Sequence, residues 1–473
     1  YSWDGSAWTQ VGNDIDGEAA GDYLGRSVSM DSDGSHVAIA APYNDGNGSN
    51  AGHVRIYSWD GSAWTQVGND IDGEAAGDNS GWSVSIDSDG SHVAIGAHLN
   101  DGTGTNAGHV RIYSWDGSAW AQVGNDIDGE AAYDESGFSV SMDSDGSHVA
   151  IGAHLNDGAG SDAGHVRIYS REGSAWAQVG SDIDGEAASD NSGTSVSIDS
   201  DGSHVAIGAD YNDGNGSNSG HVRVYSWDGS AWNQVGTDID GEAANDRLGF
   251  SVSIDSDGSH VAIGAHLNDG TGTNAGHVRI YSWNGSAWSQ VGNDIDGEAS
   301  FDNSGYSVSM DSDGSHVAIG AYSNDENGSN AGHVRIYSWD GEAWGQLGND
   351  IDGEAANDYS GTSVSIDSDG SHVVIGAYGN GGNGTASGHV RIYEYSSGSW
   401  AQVGNDIDGE AANDRFGFSV SIDSYGSHVA IGANESGSYA GHVRILAPYG
   451  VNGNNPDTDL SANSLTTSGA TTA

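Results

Sequence analysis

WSVSIDSDGSHVAIGAHLNDGTGTNAGHVRIYSWDGSAWAQVG, residues 82–124, contains four short segments that alternate polar and apolar residues with the two-residue period of a β-strand. Trp82–Asp87 is followed by the tight turn Ser88-Asp89-Gly90 and by His92–Ala97, which reads as a hairpin. A loop over Leu99–Gly108 leads to His109–Trp115, which turns at Asp116-Gly117 into Ala119–Gly124. The stretch predicts a four-stranded antiparallel meander, and its strands are named A to D in chain order. No segment has helical periodicity.

The same stretch returns along the whole chain. YSWDGSAW begins at Tyr1, Tyr57, Tyr113 and Tyr225 and, with small changes, at Tyr169, Tyr281, Tyr337 and Tyr393, always 56 residues apart. Tandem units of this size are buried either by stacking into a solenoid or by closing into a propeller. The chain ends favour closure. Strands A, B and C each occur eight times, and the last set, Phe418–Asp423, His428–Ala433 and His442–Leu446, has no D strand after it. The first D strand, Ala7–Gly12, has no sheet of its own and would complete the last one. The reading is an all-β, eight-bladed β-propeller over residues 1–446, with a polar Ser/Thr/Asn-rich tail or linker over 447–473.

Alternation also suggests how blades pack. Val84, Ile86, Val93, Ile95, Val110 and Ile112 are expected on one face, with Ser83, Ser85, His92, Ala94, Gly96, His109, Arg111 and Tyr113 on the other. The arginine at Arg55 and Arg111 recurs once per blade, and a strand-A aspartate such as Asp31 or Asp87 is its expected partner. The Trp59/Trp64 and Trp115/Trp120 pairs flank the C-to-D turn and are expected to pack across strands.

These residues resemble the FG-GAP repeat of integrin-type β-propellers, in the short-repeat form of secreted microbial and algal proteins. The FG element stands at Phe416-Gly417 and is varied at Leu24-Gly25 and Ser80-Gly81, while the GAP element is varied at Ala40-Ala41-Pro42 and Gly96-Ala97-His98. The resemblance implies a propeller, an extracellular setting and a part in adhesion or scaffolding. It also implies calcium loops of the DxDxDG kind between strands A and B. Here that connection is only Asp31-Ser32-Asp33-Gly34-Ser35, with His36 in place of a closing aspartate. Too few oxygens remain for the roughly six to eight that Ca2+ takes. A tight Asp-Gly turn is the expected role.

The cation candidates lie instead in the D-to-A connector NDIDGEAAGD. They are Asp14, Asp16, Glu18 and Asp22 in the first copy, and Asp70, Asp72, Glu74 and Asp78 in the second. Such carboxylates would gather a hard cation such as Ca2+, or serve simply as solvated acids. Glycan-acceptor patterns occur at Asn47, Asn215, Asn327, Asn383 and Asn434 between strands B and C, and at Asn284 between C and D, all in expected exposed connections.

Composition narrows the function. The formal charge is −56, all twelve basic residues are arginine, and cysteine is absent. That charge repels nucleic acid and anionic membranes, and no apolar run is long enough for a membrane-spanning helix. An acid excess of this size suits a salty, extracellular or cell-surface medium, in which screening acts over roughly 10 Å or less. The chain begins at Tyr1, as expected of a processed product or a piece of a longer one.

No catalytic constellation stands out, because every candidate recurs from blade to blade, whereas catalysis needs one site with distinct partners. The leading expectation is a non-enzymatic extracellular structural or adhesion scaffold, part of a filament, sheath or appendage. Its partners would be copies of itself or other surface proteins. The alternative is a multivalent carbohydrate-binding propeller that presents its tryptophans to glycans. Arg26, Arg171, Arg247, Arg415, Phe301 and Tyr425 break the consensus between copies and are read as drift.

Overall fold

The structure is a computed structural model and describes residues 8–448. Residues 1–7, of which Ala7 belongs to the expected closing strand, and all of the tail beyond 448 lie outside the described residues. Eight sheets form, each with strands in the order A-B-C-D. In the second blade these are Ser83–Ile86, His92–Ala97, His109–Trp115 and Trp120–Gln122. A fifth strand, E (Ile127–Asp128), was not expected from the sequence and pairs back onto strand C, Val110 opposite Ile127. The connector is thus partly an edge strand.

The ring closes as expected. Trp8–Gln10 pairs antiparallel with His442–Pro448, Gln10 opposite Leu446, and Ile15–Asp16 adds the E strand of the same blade. This last C strand runs two residues past the expected domain boundary at 446.

Packing between blades corrects the expected faces. Ala97 lies opposite His109, so Ile95 faces Arg111 and Val93 faces Tyr113, while Gly96 and Ala94 face Val110 and Ile112. Cross-strand partners share a face. Strand C is therefore inverted relative to the expected grouping: Val110 and Ile112 side with the small residues, Arg111 and Tyr113 with the branched ones. Each junction then fits small against large. Ala38, Ala40, Val54, Ile56 and Ile71 of the first blade bury Ile86, Val93 and Ile95 of the second. Each such branched side chain contributes about 1.5–3 kcal/mol when removed from water. The serines of strand A finish the job, for Met142 N–H donates to Ser85 Oγ and Ser83 Oγ donates to the Gly137 carbonyl of the next blade.

The repeated arginine does not pair with the strand-A aspartate. Arg111 donates from a terminal nitrogen to the Asp72 backbone carbonyl of the preceding blade at 2.6 Å and to the Tyr113 hydroxyl at 2.8 Å. The aspartate is already occupied. Asp87 accepts from His92 Nδ1 at 2.7 Å, from the His92 backbone N–H and from Ser91 Oγ, all inside the tight turn. The tryptophan pairs pack as expected: Trp115 stands directly opposite Trp120, with ring centres 5.7 Å apart.

Candidate functional site

The eight connector acids do not converge as two groups of four. Asp78 is buried and structural, capping the Ala75 N–H and accepting from Asn100 Nδ2 at 3.0 Å, and Asp22 does the same toward Ala19 and Asn44. Asp14 and Asp70 each accept from a strand-D glutamine at 2.6 Å. Asp16 and Asp72 lend their backbone carbonyls to Arg55 and Arg111.

What the ring does bring together is one acid from each of two successive connectors and the first histidine of strand C between them. Glu18, His53 and Asp70 form one such group, Glu74, His109 and Asp126 the next, and Glu130, His165 and Asp182 a third. The groups recur because the 56-residue repeat returns the same residues to every junction. His53 and His109 are 1% exposed, and neither ring nitrogen of either has a hydrogen-bond partner. The nearest carboxylate oxygen, Glu18 Oε2 or Glu74 Oε2, is 3.9 Å from Nδ1. That is too far for a hydrogen bond.

Burial, reinforced by the adjacent arginine, pushes each of these imidazoles down to about 4. They stay neutral near pH 7, as a metal ligand must be. Burial likewise raises Glu74, with Asp126 adding to it. Acidic groups of this kind could hold a metal ion. The histidine in HVRI was visible in every copy; its convergence with acids from two connectors was not.

The channel on the ring axis has two unlike mouths. Around one, the A-to-B turns of all eight blades lock together. Ser32 N–H donates to the Ser88 carbonyl and the chain of bonds continues blade by blade until Ser424 N–H returns to Ser32. The buried turn aspartates and the flanking residues line a cavity of about 290 Å³ there.

At the other mouth the copies differ. The residue opening strand A is Arg26, Trp82, Phe138, Phe250, Tyr306 or Phe418 in six blades and Thr194 or Thr362 in the other two, all half-buried. Arg26 lies over Trp82 at 4.5 Å and over Phe418 at 5.0 Å from the ring centres. His98 packs against Trp82 with ring centres 4.3 Å apart, Phe138 against His154 at 4.0 Å and Phe250 against His266 at 4.2 Å, each pair tilted by 39–49°. Arg247 and Arg415 reach the same face and pair with Asp210 at 2.9 Å and Glu435 at 3.1 Å. Three of the residues read as drift thus meet around one opening.

The glycan-acceptor asparagines divide. Asn47, Asn215, Asn327 and Asn383 each donate through Nδ2 to the backbone carbonyl of a connector glycine at 2.8–2.9 Å. Asn284 is exposed and caps its turn. Asn434 is 4% exposed, contrary to the expectation that all six are exposed, because it follows strand B directly at the varied mouth.

Eight four-stranded antiparallel blades around an axial channel define an eight-bladed β-propeller. The FG-GAP repeat profile matches residues 15–57, 71–113, 237–281, 294–337 and 351–393, five times along the chain, consistent with an FG-GAP β-propeller family. No curated protein matches it in sequence. Among solved structures it is similar to the Dos1 propeller, at 10% identity and a TM-score of 0.54 over 94% of this chain and 95% of that one. The periplasmic gluconolactonase PpgL of Pseudomonas aeruginosa is similar at 12% identity and a TM-score of 0.49, over 79% of this chain and 96% of that one. At such identities the likeness concerns the fold.

Proposed function

We propose that the protein is a non-enzymatic scaffold or adhesion module of the extracellular space or cell surface, which presents one blade edge eight times to further copies of itself or to other surface proteins. The supporting observation is the equivalence of the blades. In seven of them the strand-C histidine stands 3.7–4.0 Å from the connector glutamate, an outer edge repeated with the same geometry. FG-GAP repeats and a charge of −56 agree with an extracellular setting. Light scattering over a wide concentration range, with negative-stain microscopy, tests the assembly. Ordered oligomers or filaments are expected. Monomers at every concentration, together with no retention on the source cells, refute the proposal.

The blade junctions would take a divalent cation. Two carboxylates and one imidazole nitrogen suit a borderline ion such as Zn2+ better than the Ca2+ expected from the connector, since Ca2+ draws on oxygens. The guanidinium beside each histidine opposes a cation, so binding is expected to be weaker than at a structural zinc site. Melting with Zn2+, Ca2+ and chelator discriminates, because an ion that binds only the folded state raises its stability. Zn2+ should raise the melting temperature, and the effect should shrink in Glu74→Gln/Asp126→Asn. No shift with either ion refutes the cation.

A further inference from the structure

Copies of one unit that drift freely should differ alike at every solvent-facing position. These do not. The A-to-B turn reads DSDGSH in seven copies and DSYGSH in the last, although its second aspartate is exposed. The opposite end of the same hairpin opens with arginine, tryptophan, phenylalanine, threonine or tyrosine, according to the blade. In the closed ring these are the two mouths of one channel.

Relaxed constraint does not explain what was substituted. The residue after the strand-D tryptophan varies too but stays small, as Thr, Ala, Asn, Ser or Gly. At this mouth the change is toward rings. Three of the chain's five phenylalanines, Phe138, Phe250 and Phe418, occupy the one position that opens strand A. These rings are half-buried, and together they give the opening an apolar rim of the kind that marks a candidate binding surface.

The charge at this mouth is as unlike the rest as its shape. Of the four arginines outside the once-per-blade series, three are here. Arg247 and Arg415 are neutralised by Asp210 and Glu435. Among the described residues Arg26 makes no ion pair and lies over two aromatic rings, and burial lowers its guanidinium. Among the described residues it is the arginine of this mouth that lacks a carboxylate partner, held between two rings in a chain of charge −56.

We propose that this mouth is one binding site for an acidic saccharide, with Arg26 taking the carboxylate of a uronic-acid unit and Trp82 and Phe418 stacking on sugar faces. The guanidinium fork matches a carboxylate bidentately, and flanking aromatics hold it in place with little further loss of entropy. The C–H-rich faces of a pyranose ring suit aromatic surfaces, and the neutral imidazoles of His98 and His154 supply hydrogen bonds to hydroxyls. A long polyanion would meet the repulsion of the whole chain, so a short oligosaccharide or a chain end fits best. The site is single because no other blade carries an arginine at this position. It does not depend on the scaffold assignment.

Titration calorimetry with gluco-, galacto- and mannuronate trisaccharides, their neutral counterparts and a short acidic peptide tests the site. At least one uronate should bind at least tenfold more tightly than its neutral counterpart. Arg26→Met should erase that preference and Arg26→Lys should keep only part of it. Trp82→Ala should weaken both kinds of sugar, and Arg171→Met, outside this mouth, should change nothing. Each variant is first checked for an unchanged melt. No uronate binding, an unaltered preference in Arg26→Met, an equal loss in Arg171→Met, or tighter binding of the peptide would each overturn the proposal.

Discussion

Lowering the pH from 6.5 to 5.5 should destabilise the ring, because buried histidines outnumber those that welcome a proton. Ten of them, among them His53, His98, His109, His154 and His165, are pushed down to about 3–4 by burial. In the unfolded chain each would titrate near 6.5. Below that value the unfolded state binds protons that the folded state refuses, so folding loses free energy as pH falls. Over this one pH unit the loss is about 1 kcal/mol per histidine, from the linkage relation applied to values near 4 and 6.5. The six turn histidines raised by their aspartates, such as His148 and His204, work in the opposite sense. Their contribution is complete below the unfolded value of about 6.5 and is lost as pH rises through their raised folded values. Within the window they offset part of the loss, because the unfolded imidazole is only half protonated at pH 6.5, and their effect fades toward pH 5.5. Urea midpoints at pH 6.5, 6.0 and 5.5 read the effect. His109→Gln, which removes one buried imidazole, should show a fall shallower by about 1 kcal/mol. A midpoint that stays level or rises toward pH 5.5 refutes this account of the junction histidines.

Two further substitutions probe closure and junctions. Trp8→Ala should cost about 3–5 kcal/mol, as expected for a buried tryptophan, and should match Trp64→Ala in the first blade if the closing strand is energetically an ordinary outer strand; a melting temperature unchanged in Trp8→Ala alone would show that the ring does not depend on it. Gly73→Ala should be strongly destabilising because a Cβ there would fall on the Ala51 backbone carbonyl, whereas Gly61→Ala meets no atom within 4 Å and differs only by its positive φ of 91°; equal melting temperatures for the two would contradict the packing.

The ring and its closure were legible because they follow from counting. Strand identity comes from alternation, and the surplus D strand at one end answers its absence at the other. Strand C of each blade was placed on the wrong faces because alternation fixes which residues share a side within a strand, and only the register across the B-to-C loop relates two strands. That register is set by Ala97 facing His109. The arginine was misassigned for a related reason. A charge-pairing rule pointed to Asp87, but the nearer His92, five residues on in the same turn, takes that carboxylate first. The Glu74–His109–Asp126 group spans 53 residues of chain, and closeness in sequence drew attention instead to acids that point apart.

Repetition weighs against a single site only where the copies remain alike in space. Here they remain alike at the blade edges and at the serine-bonded mouth, and part company at the other. Each A-to-B turn must fit its neighbour, for a Cβ at Gly146 would collide with His92 and Asp87 of the adjacent blade. Packing fixes that sequence whatever the protein does. At the opposite mouth the interlock runs through the glycine before strand A, as where Ser83 Oγ donates to the Gly137 carbonyl, and the residue that follows this glycine has changed, to a ring in five blades and to arginine in one. A ring built from duplicated blades thus keeps eightfold sameness where packing demands it. Among the places where the copies differ, this mouth is where, among the described residues, an arginine without a carboxylate partner meets a cluster of aromatics, and that coincidence separates a binding mouth from accumulated drift.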